Sequence, residues 1–208
     1  MKNGDVKLTV STSYDRVADD YLRLFGVSSV RQKKLDEFIE RLSPGASVLD
    51  LGCGAGVPVA KILTEQRFKV TGVDISIGQI ERARRNVPAA IFVQEDMGSL
   101  NFAPDTFDGV CAFYSVTHVP CDEHHALVRR VAEWLRPGGI FMASLGVSAG
   151  DWSGTWLGVP MFFSHNDPKD ARQIIRDAGL LLERAELVEQ DNEETSFLWI
   201  TARKPPRP

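Results

Sequence analysis

Apolar and polar positions along this chain change period several times, and each change marks an element. Between residues 13 and 42 apolar side chains recur at helical spacing, first in SYDRVADDYLRLF and, after a break near Gly26, in VRQKKLDEFIERL. Ser43-Pro44-Gly45 stops that segment. Short apolar runs at 47–51, 69–73, 90–93, 107–113, 139–145, 180–188 and 196–202 then read as strands. Helical patterns at 57–66, 77–86, 123–135 and 167–178 lie between them. Alternation of this kind predicts a parallel sheet covered by helices on both faces. The last two strands are separated only by the polar stretch 189–195, which predicts a hairpin and hence one antiparallel strand at the C-terminal end.

The stretch Val48–Gly56, VLDLGCGAG, concentrates the chemistry. Val48, Leu49 and Leu51 fit a strand buried on both faces. Gly52, Gly54 and Gly56 follow, then a helix whose free N–H groups face the loop. Strand, glycine loop and helix make a small-molecule site. A dinucleotide fold uses the same three parts with an acid about 20 residues on, and Asp74 supplies that acid here. Two features point elsewhere. The loop spacing is GxGxG, with Val57 in place of a third fingerprint glycine, and Asp50 stands where it would repel a pyrophosphate. A ligand with a ribose, an ammonium group and no phosphate, such as S-adenosylmethionine, suits these residues better.

Composition narrows the class further. The 208 residues suffice for one well-buried α/β domain, expected to span 1–208. A formal net charge of −4 gives no general attraction for nucleic acid or an anionic membrane, so neither is expected as a partner. The N-terminus lacks an apolar core of signal-peptide length, and no run reaches the length of a membrane span. Three cysteines without CxxC spacing argue against a zinc site or a disulfide framework; a cytoplasmic protein without metal is the expectation.

In sum, DLGCGAG, GVDIS (72–76), QEDM (94–97), FDGVCAFYSVTHV (107–119) and LRPGGIFM (135–142) stand in an order and spacing that resembles the class I, Rossmann-like S-adenosylmethionine-dependent methyltransferases. The similarity covers roughly residues 14 to 203 and looks closest to the UbiE or type 11 small-molecule group of short bacterial proteins. It implies an α/β fold with a seven-stranded, mostly parallel, doubly wound sheet, one antiparallel C-terminal strand and a three-layer αβα sandwich.

The resemblance also implies roles. Gly52, Cys53 and Gly54 would lie against the methionine part of the cofactor, and Asp50 would help to hold its amino group. Asp74 would accept from the ribose hydroxyls and Asp96 from the adenine amino group, with Ile75 and Met97 on the ring. Phe113 would border the methionine moiety, and Tyr14 and Tyr21 would close the site from an N-terminal helical cap at about 13–42. The product would be S-adenosylhomocysteine. Two histidines stand where a base is expected, His118 in THVP and His165 in FFSHND, whereas His124 and His125 look like surface residues.

An insertion at about 146–166, GVSAGDWSGTWLGVPMFFSHN, predicts an aromatic, glycine-rich lid loop. Trp152, Trp156, Met161, Phe162 and Phe163 on it would form the acceptor pocket. No [DNS]PP[YFW] follows the fourth strand, where Ser115-Val116-Thr117-His118 stands instead, so a small metabolite is the expected acceptor at O or N. Two other readings remain open here: a nicotinamide-dependent oxidoreductase, and a binding protein that holds the cofactor without turnover. Either a monomer or a homodimer is compatible with the sequence.

Overall fold

The computed structural model describes residues 3–191 and 194–207. Two helices come first, α1 (Asn3–Phe25) and α2 (Ser29–Ile39). The alternating segment follows: β1 (Ser47–Leu51), α3 (Val59–Glu65), β2 (Lys69–Asp74), α4 (Ile77–Asn86), β3 (Ile91–Gln94) and β4 (Phe107–Ala112). After a short 3₁₀ turn at Val116–His118 come α5 (Cys121–Trp134) and β5 (Leu135–Leu145). The chain ends with β6 (Gly150–Trp156), β7 (Val159–His165), α6 (Pro168–Asp177), β8 (Leu181–Glu189) and β9 (Ser196–Arg203).

Seven strands form one sheet in the order β3-β2-β1-β4-β5-β9-β8. The pairings from β3 through β5 are parallel, and β9 runs antiparallel to both of its neighbours, β5 and β8. The fold therefore has the seven-stranded, mostly parallel sheet with one antiparallel strand that the sequence predicts. Its order reverses beside β1, because β1 lies between β2 and β4, and the C-terminal ends of β1 and β4 open a crevice there. Val48, Leu49 and Leu51 of β1 are fully buried, as a strand covered on both faces requires. Two apolar clusters fill the two faces of the sheet. One centres on Trp134, Leu135 and Phe141, the other on Phe38, Leu63 and Ile80, and each such buried side chain contributes roughly 2 kcal/mol.

Two expectations need correction. The N-terminal helix begins at Asn3, ten residues before the periodic segment, because Val6 and Val10 pack in a third cluster with Val159, Met161 and Phe162. The insertion at 146–166 is not a loop. It folds as the antiparallel hairpin β6–β7, a separate two-stranded sheet whose register pairs Trp152 with Phe163 and Trp156 with Val159. A lone hairpin is marginal in water. This one is covered by α1: Ser13 Oγ donates to the Pro160 carbonyl at 2.5 Å, and the third apolar cluster lies between them.

Candidate functional site

A cavity of about 700 Å³, open to solvent, lies at the C-terminal ends of β1, β2 and β4. Its floor is the glycine loop. Gly52 has φ of +74°, and a Cβ there would overlap Ser115, so glycine is required on both counts. Ser115 Oγ in turn donates to the Leu51 carbonyl at 2.6 Å, tying the loop to the end of β4.

Three acids surround this floor in different states. Asp74 ends β2, and its carboxylate accepts from the N–H groups of Gly54 and Ser76, both at 2.9 Å. Burial raises its pKa to about 6 against the pull of those two donors. Asp96 follows β3; its Oδ1 accepts from the Gly98 N–H at 2.7 Å and its Oδ2 from Lys7 Nζ at 2.8 Å. Lys7 also donates to Glu123 at 2.6 Å, so α1 is pinned across the cavity mouth. Burial opposes ionisation of Lys7, but the bonds to Asp96 and Glu123 outweigh it and raise its pKa. Asp50 lies in a recess that continues the cavity behind Gly52 and Gly54. It is 2% exposed; Oδ1 accepts only from the Cys111 thiol at 3.6 Å, and Oδ2 has no partner among the described residues. Burial raises its pKa to about 7.

Ile75, Met97, Phe113, Tyr14 and Tyr21 also line the main cavity, and Cys53 lines the recess. Each of the cofactor residues expected from the sequence therefore borders one of these two connected spaces. Arg31 borders the recess as well, a residue on α2 with no motif around it. It is buried: its guanidinium donates to the carbonyls of Phe25 and Gly26, while Nε has no partner among the described residues.

A second cavity, of about 550 Å³, shares Tyr14, Tyr21, Tyr114 and His118 with the first. Aromatic rings dominate its walls. Phe25 stacks on Trp156 at 5.7 Å, Trp156 meets Phe163 edge-on at 5.8 Å, and Tyr114 meets Phe197 edge-on at 5.1 Å. Of the five insertion side chains expected there, Trp156 and Phe163 line it. Met161 and Phe162 instead turn into the cluster beneath α1, and Trp152 is 46% exposed beside Phe163. The register puts Trp152, Trp156, Met161 and Phe163 on one face of the hairpin and Phe162 on the other, so position along the strands separates Trp156 and Phe163 from Met161 and Trp152.

The histidines divide as well. His118 sits at the junction of the two cavities. Its Nδ1 lies 2.9 Å from the Phe162 carbonyl, which requires a proton on Nδ1, so Nε2 is the acceptor for the Tyr14 hydroxyl at 2.8 Å. Enclosure lowers its pKa to about 4, and the ring is neutral at physiological pH. His165 ends β7 rather than opening α6, whose N-cap is Asp167. It lines neither cavity; its ring packs against Phe163 at 6.4 Å, and its Nδ1 is buried without a partner among the described residues. His124 is not a surface residue. Its Nε2 donates to the carbonyls of Val116 and Val119, and its Nδ1 accepts from Asn166, so it clamps the 3₁₀ turn to α5 and to the start of α6. His125 is exposed. No described group of three or more His, Cys, Asp or Glu residues is arranged to hold a metal, and no described helix is long and apolar enough to cross a membrane.

Comparison with known proteins agrees with this geometry. Residues 48–139 match the family model described as a methyltransferase domain. An uncharacterized methyltransferase of Synechocystis sp. is 32% identical over 145 residues, 69% of this chain and 68% of that protein. An O-methyltransferase of Pyrenophora dematioidea is 36% identical over 110 residues, 49% of this chain and 40% of that protein. The chain spans about two fifths of the length of the curated relatives matched first. Among solved structures, the 1,6-didemethyltoxoflavin-N1-methyltransferase of Burkholderia thailandensis, with its substrate and S-adenosylhomocysteine bound, superposes with a TM-score of 0.78. That likeness covers 99% of this chain and 91% of the other at 20% identity. The chain belongs to the class I S-adenosylmethionine-dependent methyltransferases.

Proposed function

We propose that this protein transfers a methyl group from S-adenosylmethionine to an oxygen or nitrogen of a small molecule. The observation that carries this reading is the pair of cavities meeting at Tyr14 and His118, one lined by the glycine loop and acids, the other by rings. The residues fit the cofactor. A buried carboxylate with a spare oxygen, Asp50, and a buried guanidinium with a spare donor, Arg31, border one recess and complement the ammonium and carboxylate of an α-amino acid. Asp74 is held at the strand end by two N–H groups and offers its remaining lone pairs to a diol. When bound, the cofactor supplies an electrophilic methyl group on a sulfonium, which leaves as a neutral thioether.

The chain's own residues then align, enclose and accept a proton. Helix α1 and the β6–β7 hairpin serve as cap and lid of a single domain; Lys7, Ser11 and Asp15 on α1 bond to the β2 and β3 strand-end loops and hold the cap over the cavity. His118 presents Nε2 in the acceptor state, fixed by the Phe162 carbonyl on its other nitrogen, and takes a proton where the acceptor brings one. Charge and composition support a small molecule rather than nucleic acid as partner, and the unpaired Cys53, Cys111 and Cys121 support a reducing, cytoplasmic setting. Calorimetry with S-adenosylmethionine and with NAD tests the reading: binding of the first alone is expected, and binding of NAD without response to S-adenosylmethionine would overturn it. Transfer of label from methyl-labelled cofactor to a small product distinguishes an enzyme from a binding protein.

A further inference from the structure

Among the described residues, the ring-lined cavity receives two charged side chains, Arg31 and Asp191, and the protein already engages Asp191 and the guanidinium terminus of Arg31. Asp191 lies between β8 and β9 and caps α2. Its Oδ1 accepts from Ser28 Oγ at 2.8 Å, and its Oδ2 accepts from the N–H groups of Ser29 and Val30. Arg31 spends its guanidinium terminus on the carbonyls of Phe25 and Gly26, and its spare Nε answers the amino-acid end of the cofactor on the reading above. The neutral polar groups satisfy one another as well: the Tyr114 hydroxyl donates to Gln190 Oε1 at 2.5 Å, and Gln190 Nε2 donates to the Val188 carbonyl at 3.1 Å. Among the described residues, what the cavity offers a second molecule is ring surface on several sides and a polar corner of His118 with Tyr14, beside Thr117.

We propose that the methyl acceptor is an uncharged, flat aromatic compound, that its ring packs against Trp156, Phe163 and Phe197, and that its hydroxyl oxygen is methylated beside His118. The proposal rests on the donor assignment above and adds the acceptor class to it. A carboxylate acceptor finds no cation besides Arg31 among the described residues of this cavity, and an unpaired buried charge is expensive. An ammonium acceptor gains from ring faces, but the Arg31 guanidinium, 5.9 Å from the centre of the Tyr114 ring, already takes such a face and repels a second cation. A neutral ring loses nothing on entry and gains stacking area.

A lone pair of the aryl oxygen forms the new O–CH₃ bond, the S–CH₃ bond breaks with its electrons on sulfur, and the hydroxyl proton passes to the Tyr14 oxygen as the Tyr14 proton moves to His118 Nε2, which then donates back to the Tyr14 oxygen.

Calorimetry on the protein saturated with S-adenosylhomocysteine tests this with three probes sharing one ring system: 2-naphthol, 2-naphthoate and 2-naphthylmethylamine, at about pH 7.5, where they are neutral, anionic and cationic. We expect 2-naphthol to bind at least roughly tenfold more tightly than either charged probe. Phe197→Ala should weaken 2-naphthol by roughly tenfold with S-adenosylhomocysteine affinity unchanged, since Phe197 borders only the ring-lined cavity. Binding of a charged probe as tight as that of 2-naphthol, or binding of none of the three, overturns the acceptor class. Failure of S-adenosylhomocysteine to bind overturns the donor reading beneath it.

Discussion

The two cavities are built in opposite ways. The donor cavity is made of strand ends and the turns that leave them: Asp50 and Gly52 from β1, Asp74 and Ile75 from β2, Asp96 and Met97 from β3, Phe113 and Ser115 from β4. Its acids stand at the strand ends, and burial raises the pKa values of two of them, Asp50 and Asp74. The acceptor cavity is assembled from α1, α2, the hairpin and the β8–β9 connection, segments far apart in sequence, and Tyr114, Gln190 and Asp191 in its wall are satisfied by protein partners. One space keeps a buried carboxylate oxygen, Asp50 Oδ2, without a partner among the described residues; the other is walled mainly by rings.

Predictions follow that contrast. The largest effect is expected at the junction. His118→Ala should lower kcat by about 10²- to 10⁴-fold for an acceptor that must lose a proton. Donor affinity should move little, and a large loss of donor binding would instead mark His118 as structural. Asp74→Ala should weaken S-adenosylmethionine binding by roughly 100-fold or more, because an ionic acceptor for two hydroxyls is removed. Since Asp74 also holds Gly54 and Ser76, the isosteric Asp74→Asn is the control for loop collapse, and wild-type affinity in both would place the ribose elsewhere.

Asp50 separates function from stability. Its carboxyl titrates at about 7 in the fold against 3.8 unfolded, so the folded state binds the extra proton between those values. The stability this gives is complete at low pH and is lost as pH rises through 7, a penalty on the order of 4 kcal/mol above that point. Asp50→Asn should therefore raise the Tm of the free protein at about pH 8, with the gain fading towards about pH 5. It should also weaken the donor, and a lower Tm at high pH would contradict the assignment. For the same reason donor affinity in the wild type should fall as pH drops below about 7, and binding near neutrality should release a proton that buffers of different ionisation enthalpy detect. The smallest effect is expected at Lys7→Ala. It removes a partly exposed bridge from α1 to Asp96 and Glu123, and should cost no more than about 1 kcal/mol of stability in thermal unfolding.

The same contrast explains what could be read in advance. Asp50, Gly52, Asp74 and Asp96 each lie at the end of an apolar run, and a residue at the C-terminal end of a parallel strand is placed by the sheet itself. Gly52 has a second signal, for a positive φ and the close approach of Ser115 admit no side chain. Lys7 and Arg31 carried no such mark. Each is a basic residue on an amphipathic helix, a pattern that ordinarily describes a solvated face. His124 was misjudged for a related reason: its acidic neighbours suggested solvent, whereas Asn166, 42 positions on, closes over it. In the sequence the hairpin reads as a loop, because Gly150, Gly154 and Gly158 interrupt the alternation of Trp152, Trp156, Met161 and Phe163.

By itself, the sequence determined the sheet and its one reversed strand, which follow from local periodicity, and its resemblance to a family gave the expected methyl donor, through turns in which a few neighbouring residues meet the ligand. Only the tertiary structure decided which helix covers the hairpin, which histidine stands at the junction and which charges remain free. Periodicity tells a side chain that it must be covered, but not by what, and the acceptor cavity consists of such coverings: Tyr14, Arg31, Trp156 and Phe197 meet there although they lie on four different elements.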